Sequence, residues 1–141
     1  LLAELVSEGL TLVVATPYLD EAERCSRVVL MYAGRVLADA PPREIPAMAA
    51  GALLEVEAAP RAAVAAALAG VDGVLAVSPF AARFHVRVAD AAAAAAVAGR
   101  ARAALAAAGI TVTVLEPVEP GLEDAFLHLT RERADQPEEA A

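Results

Sequence analysis

Apolar and polar side chains alternate along several short stretches in the second half of the chain. The clearest is residues 83–88, with the sequence Arg-Phe-His-Val-Arg-Val, in which every second side chain is apolar. Such alternation is typical of a strand with one buried face and one polar face. Similar strand character marks residues 53–57, 74–77 and 110–114. The pattern therefore predicts four strands in this part of the chain.

Two alanine-rich stretches separate these strands and have the length of helices. Residues 60–69 end before Gly70, while residues 91–108 follow Asp90, a good N-cap, and end before Gly109. The order strand, helix, strand, strand, helix, strand is that of a ferredoxin-like βαββαβ unit. The sequence therefore predicts a mixed α/β (α+β) fold.

Charged residues occupy the polar positions of two predicted strands. In a ferredoxin-like unit the first and third strands are neighbours, which brings carboxylates of the first strand opposite basic side chains of the third. The five side chains predicted to share this polar face are Glu55, Glu57, Arg83, His85 and Arg87. In this arrangement His85 is interpreted as a neighbour of ion pairs and not as a ligand.

Residues 1–50 show a different pattern. Residues 10–15, Leu-Thr-Leu-Val-Val-Ala, form a continuous apolar run, which is typical of a strand buried on both faces. Thr16 and Pro17 are suited to the start of a helix and predict one over residues 18–26, with Cys25 as a small core residue. The other elements predicted here are a helix over 1–8, a hairpin of strands 28–32 and 35–39, and an exit helix over 43–50.

One further amphipathic pattern follows a connector at residues 116–120. Apolar side chains recur there at helical spacing and predict a last helix with a single apolar stripe. The stripe consists of Leu122, Ala125, Phe126 and Leu129. His128 falls on the polar side of this helix and is predicted to be solvated. The predicted domains are residues 1–50, residues 51–132, and a disordered, charged tail at 133–141.

Composition excludes several chemistries within this chain. All eleven basic residues are arginine, so lysine-dependent catalysis and a complete phosphate-binding P-loop are ruled out here. The net charge of −8 argues against nucleic acid as a partner. One cysteine and two distant histidines give no disulfide and no zinc spacing, so no metal site is predicted and a reducing cytoplasmic compartment is favoured.

Two stretches resemble the C-terminal part of the ATP-binding subunits of ABC transporters. Residues 11–27, Thr-Leu-Val-Val-Ala-Thr-Pro-Tyr-Leu-Asp-Glu-Ala-Glu-Arg-Cys-Ser-Arg, with Gly-Arg-Val-Leu-Ala at 34–38, resemble the switch loop and the segment after it. This likeness is greatest for the ABC-2-type drug exporters. Residues 121–127, Gly-Leu-Glu-Asp-Ala-Phe-Leu, resemble the helix that closes the accessory domain of those proteins.

The resemblance implies the tail of a nucleotide-binding domain at residues 1–50, followed by an accessory domain. It places the Walker A loop, the signature sequence and the Walker B strand outside this chain, so no catalytic residue is expected here. It implies ATP and Mg²⁺ as cofactors of the full-length parent. The implied partners are transmembrane permease subunits and a dimeric or tandem ATPase domain, at the inner face of the cell membrane.

One departure from the family pattern falls at Thr16 and Pro17. The family has a switch histidine at the position of Pro17, and its ring reaches the γ-phosphate, whereas proline has neither a side-chain donor nor an N–H. The resemblance then implies a degenerate nucleotide half-site of which Thr16 and Pro17 are the remnant. The alternative is that Pro17 only begins a helix.

Two functions stay open on the sequence alone. The leading hypothesis is a non-catalytic accessory or regulatory portion of an exporter subunit, whose parent couples ATP binding and hydrolysis to substrate export. The alternative is a regulatory module that binds a small ligand in the manner of ACT domains, with residues 1–50 as an adapter.

Overall fold

The computed structural model of the chain describes residues 2–135, which contain five α-helices, one 3-10 helix and six strands. This is a mixed α and β fold, as the sequence predicts. In chain order the elements are α1 (Leu2–Ser7), α2 (Leu19–Ala22), β1 (Val28–Tyr32), β2 (Arg35–Ala40), the 3-10 helix (Ile45–Met48), β3 (Ala52–Ala59), α3 (Arg61–Ala69), β4 (Val74–Phe80), β5 (Arg83–Val88), α4 (Ala91–Ala107), β6 (Thr111–Val118) and α5 (Leu122–Asp135). Most of the predicted tail, residues 136–141, lies outside the described residues.

Strands β3 to β6 form a four-stranded antiparallel sheet in the order β4-β5-β3-β6. The pairing predicted between the first and third of these strands is confirmed, because β3 and β5 are neighbours. Their register sets Glu55 opposite His85 and Leu53 opposite Arg87. The charged positions of both strands therefore share one face, as expected.

The opposite face of this sheet packs against α3 and α4 and forms the larger hydrophobic core. Leu54 and Val56 of β3 are fully buried there. Val97 and Leu105 of α4 are equally buried, and the alanines between them let the helix lie close to the strands. Among the described residues, no helix combines the length and the apolar character that crossing a membrane requires.

Two strands extend beyond their predicted ends. Strand β4 continues through Pro79 and β6 through Pro117, where the sequence predicts a loop and a connector. Both strands lie at the edges of the sheet. Proline has no N–H to donate, and an edge strand tolerates it because one side of the strand has no neighbouring strand to bond. The N-cap predicted for α4 is confirmed, since Asp90 Oδ1 accepts the N–H of Ala93 at 2.7 Å.

Strands β1 and β2 pair as the predicted antiparallel hairpin. Their turn is formed by Ala33 and Gly34, with φ angles of 48° and 76°, the left-handed pair that tight hairpins require. One face of the hairpin, which includes Val28, Leu30 and Ala38, belongs to a second and smaller hydrophobic cluster. This hairpin, α1, α2 and the 3-10 helix are called the first unit below, and residues 51–118 are called the second unit.

Three predictions for the first unit are wrong. Residues 10–15 form no strand, because no strand of the described residues pairs with them. Helix α2 is limited to Leu19–Ala22, with Tyr18 at the N-cap and no side-chain cap to extend it. The exit helix is reduced to a single 3-10 turn at Ile45–Met48, where Pro46 occupies one of the first positions.

Helix α5 contacts both units. Its residues Leu122 and Ala125 are buried in the smaller cluster beside the hairpin. On its other side Asp124 reaches His85 on the polar face of the second unit's sheet. The polar face is therefore covered by a helix. The domain boundary predicted after residue 50 stays a prediction, since α5 packs with residues on both sides of it.

We expect opposite stability effects from alanine at two glycines that lie near the same helix. At Gly73, with φ of 87°, a Cβ would lie 2.6 Å from Val97 Cγ2 and 2.9 Å from Arg100 Nη2. Gly73→Ala should therefore lower the free energy of unfolding by about 2 kcal/mol. Gly99, in the interior of α4, has open space around its Cβ position, so Gly99→Ala should raise stability by about 0.5–1 kcal/mol. Urea titration followed by circular dichroism measures both, and a stable Gly73→Ala protein would contradict this account of the turn.

Candidate functional site

The two residues assigned to a degenerate nucleotide half-site, Thr16 and Pro17, lie in the loop before α2. The Oγ1 of Thr16 donates a hydrogen bond to Glu21 Oε2 at 2.6 Å and accepts one from the N–H of Tyr18 at 3.1 Å. Its hydroxyl is thus engaged within the loop, while Pro17 is exposed and has no donor. These two residues do not by themselves offer an ATP phosphate the contacts it needs. Their assignment to a half-site stays a prediction.

The first unit exposes an unusual amount of apolar surface. In residues 10–15 the side chain of Val13 is 90% exposed, although the composition of this segment is that of a buried strand. The outer face of the hairpin is also apolar and exposed. The large apolar side chains that are exposed in these two places are Leu10, Leu12, Val13, Val14, Val29, Met31, Tyr32 and Val36. We call them the apolar surface of the first unit, and large exposed apolar surfaces mark sites of interaction.

Charged side chains form a network on the polar face of the second unit's sheet. Arg83 Nη1 is hydrogen-bonded to Glu55 Oε1, and Arg83 Nε donates to Glu57 Oε2 at 2.9 Å. Both hydrogen bonds raise the pKa of Arg83 further above its ordinary value, and the one to Glu55 has the larger effect. The guanidinium is therefore a fixed positive charge between two carboxylates, and it ties β5 to β3.

His85 connects this network to α5. Its Nδ1 donates a hydrogen bond of 2.6 Å to Asp124 Oδ1, and its Nε2 lies 3.6 Å from Glu55 Oε2. Asp124 Oδ2 in turn accepts the N–H of Gly121 at 2.9 Å. The ring of Phe80 stacks on the imidazole with 4.0 Å between centroids and 14° between planes.

This histidine and aspartate are geometrically similar to the orienting half of a catalytic triad, but the surroundings assign them a different role. The side chains of His85 and Asp124 are only 7% and 8% exposed. The free nitrogen of the imidazole faces Glu55, and a phenyl ring covers one side of it. At this degree of burial the nitrogen is closed to a substrate. The pair therefore fastens the helix to the sheet, and the interpretation of His85 as a neighbour of ion pairs is confirmed.

The second histidine is also buried, and its predicted solvation is wrong. His128 Nε2 accepts the N–H of Ala50 at 3.2 Å and lies 3.2 Å from Glu132 Oε1. Its Nδ1 is buried without a hydrogen-bond partner among the described residues. The physical reason is that the polar side of α5 faces the junction between the two units and not water. A helical wheel identifies the polar side but does not identify what lies against it.

Cys25 is exposed, which corrects its predicted place in the core. Helix α2 ends before it, and its thiol makes only a weak contact of 3.7 Å to the carbonyl oxygen of Glu21. It borders an open cleft of about 680 Å³ whose walls include Pro42 and Arg43. In residues 2–135 no group of three or more histidine, cysteine, aspartate or glutamate side chains is arranged to hold a metal ion.

Comparison with models of protein families, with curated proteins and with solved structures gives no match for this chain. Its function is therefore argued from the residues and their arrangement. The five polar residues that the sequence assigns to one face do share it. All of them except Arg87 belong to the network described above, and the structure adds Asp124 to it. In the sequence Asp124 stands in the family-like stretch at residues 121–127, and it is an acid in the first turn of α5. Nothing in the pattern indicated which surface that helix would meet.

We expect removal of the Asp124 carboxylate to destabilise the protein. In Asp124→Ala the buried Nδ1–H of His85 and the N–H of Gly121 lose their acceptor, so the free energy of unfolding should fall by about 2–3 kcal/mol. The control is Asp72→Ala, which removes a carboxylate that is 92% exposed and 3.7 Å from Arg100. That change should cost less than about 0.5 kcal/mol. Equal losses in the two variants, measured by urea titration, would show that the buried pair does not fasten α5.

Proposed function

We propose that this chain is the C-terminal portion of the ATP-binding subunit of an ABC-type exporter. In this proposal residues 1–50 are the tail of the nucleotide-binding domain, and the rest is an accessory domain that acts in dimerisation or regulation. The parent protein couples ATP binding and hydrolysis to export through transmembrane permease subunits at the inner face of the cell membrane. The chain itself contributes no catalytic residue.

The observation that carries the proposal is the exposed segment at residues 10–15. Its apolar run has the composition of a strand buried in a parallel sheet, yet Val13 is 90% exposed and no described strand pairs with the segment. A strand of this composition is stable when a neighbouring strand satisfies its backbone and helices cover its faces. The motif resemblance at residues 11–27 supports the same conclusion, because in the family the corresponding strand lies inside the ATPase sheet.

The topology of the second unit supports the accessory-domain part of the proposal. Its elements follow the order βαββαβ, and its antiparallel strands are arranged β4-β5-β3-β6. This is the arrangement expected of a ferredoxin-like unit. Helix α5, which carries the second family-like motif at residues 121–127, packs on this sheet and on the hairpin of the first unit. A closing helix in this position would transmit movement between the two units.

The residues present do not fit ATP on their own. Thr16 is hydrogen-bonded within its loop, Pro17 has no donor, and the chain has no lysine. In this proposal the phosphates and Mg²⁺ are held by residues of the parent outside these 141. Pro17 in place of the switch histidine makes the half-site on this side degenerate, so hydrolysis would depend on a dimeric or tandem partner domain.

A charge placed on the apolar segment tests the proposal. In this chain Val13→Asp should change the free energy of unfolding by less than about 0.5 kcal/mol, because the side chain is already exposed. In the full-length parent the same change should cost about 3 kcal/mol or more, since the aspartate would be buried without a partner. Urea titration of both proteins gives the comparison.

The matched control is Leu75→Asp, because Leu75 is a large apolar side chain that is 60% exposed on the second unit. It should have a small effect in both proteins. A small effect of Val13→Asp in the parent as well would contradict the buried-strand interpretation of residues 10–15.

The isolated chain should show no ATP turnover above background. The reason is that the chain has no lysine for a phosphate-binding loop, and that in this proposal the Walker A loop, the signature sequence and the Walker B strand lie outside it. Phosphate release that follows the purified protein through successive chromatography steps, and is absent from a mock purification, would refute the non-catalytic assignment.

A further inference from the structure

A second cavity lies beside the C-terminal half of α5, at the edge of the second unit's sheet. It has a volume of about 420 Å³, which is in the range of small-molecule sites. Its lining combines two arginines with four apolar residues. These residues are Leu75, Ala76, Val77, Arg87, Arg131 and Ala134.

The two arginines come from different elements, Arg87 from β5 and Arg131 from α5. Arg131 donates one hydrogen bond, from Nη2 to Ser78 Oγ at 3.0 Å. The Nη1 of Arg87 is buried and has no acceptor among the residues that the structure describes. A guanidinium has five N–H donors, and those on Nη1 of Arg87 are buried without an acceptor in residues 2–135.

The local charge balance is positive. Burial, and after it the charge of Arg131, lowers the pKa of Arg87, while Glu132 partly offsets them. Glu132 is thus the carboxylate that offsets part of the charge of these two arginines. Two positive charges facing one carboxylate leave an excess of positive charge at this place, although the net charge of the protein is −8. Their mutual repulsion is a cost that a bound anion would remove.

We propose that this cavity binds a small organic anion. Its carboxylate or phosphate head would lie between Arg87 and Arg131, whose planar guanidinium groups match the geometry of both oxyanions. A short apolar chain on the same molecule would lie against Leu75, Val77 and Ala134. The site lies between the second unit and α5, and it does not depend on the proposed relation to an exporter subunit.

The position of the site connects ligand binding to the placement of α5. One arginine is fixed on the sheet and the other on the helix, so an anion that bridges them holds the C-terminal half of α5 against β4 and β5. The His85–Asp124 hydrogen bond already holds the N-terminal half. Binding would therefore stabilise the docked helix along its whole length, by mass action.

Isothermal titration calorimetry of this chain with hexanoate, hexyl phosphate, acetate and inorganic phosphate tests the inference. The six-carbon anions should bind at least about tenfold more tightly than acetate or inorganic phosphate, because their chains bury apolar surface. The ratio between hexanoate and hexyl phosphate distinguishes a carboxylate ligand from a phosphate ligand. Failure of both six-carbon anions to bind would overturn the proposal.

Two variants and a control locate the binding. Arg87→Gln and Arg131→Gln should each weaken binding of the preferred anion by about ten- to a hundredfold, the loss expected for a charge-assisted hydrogen bond. Arg102→Gln makes the same change at an exposed position of α4, on the other side of the sheet, and should leave the affinity unchanged. An equal loss in all three variants would contradict the site, since it would indicate a response to net charge alone.

A direct readout covers the case in which Arg87→Gln fails to fold. Amide chemical shifts of Leu75, Ala76, Val77 and Ala134 in the unaltered protein should move on titration with the preferred anion. Shifts confined to other regions would place the anion elsewhere and reject the assignment.

Discussion

The two-sided packing of α5 is the contact on which the rest of the structure depends. On one side Leu122 and Ala125 complete a cluster that the hairpin and the 3-10 helix could not enclose alone. On the other side Asp124 receives a hydrogen bond from His85, and the helix covers a charged sheet face. A helix of this kind carries apolar residues along one side and polar residues along the other. In α5 both sides pack against the rest of the protein. The two units are joined through this helix as much as through the backbone at Gly51.

The two units differ in how well they satisfy their own side chains. In the second unit the apolar residues of β3, β5, α3 and α4 enclose each other, and on the charged face Arg83 is paired with two carboxylates of β3. The first unit instead exposes valines and leucines on the loop at 10–15, and valines, Met31 and Tyr32 on the hairpin. Surface of this kind is costly in water unless a partner covers it. This difference between the two units supports the proposal that the chain is part of a larger protein.

The second unit was predictable because its strands and helices carry local signals, and because their order predicts which strands pair. Alternation along residues 83–88 identifies a strand, Asp90 identifies a helix start, and opposite charges on β3 and β5 identify a strand pair. The errors arise where the outcome depends on a distant partner. The run at 10–15 has the composition of a buried strand but finds no pairing strand, so it stays irregular. His128 was assigned to solvent because its helical position is polar, whereas the surface that meets it is the backbone of Ala50.

The placement of α5 also affects the order in which the protein can be completed during synthesis. A ribosome delivers the hairpin before α5, with the whole second unit between them. The second unit can close its own core as it emerges, since its contacts lie within residues 51–118. The hairpin must wait for Leu122 and Ala125, which are separated from it by many residues. Until then the inner face of the hairpin is a second exposed apolar surface, to which a chaperone or a neighbouring chain could bind.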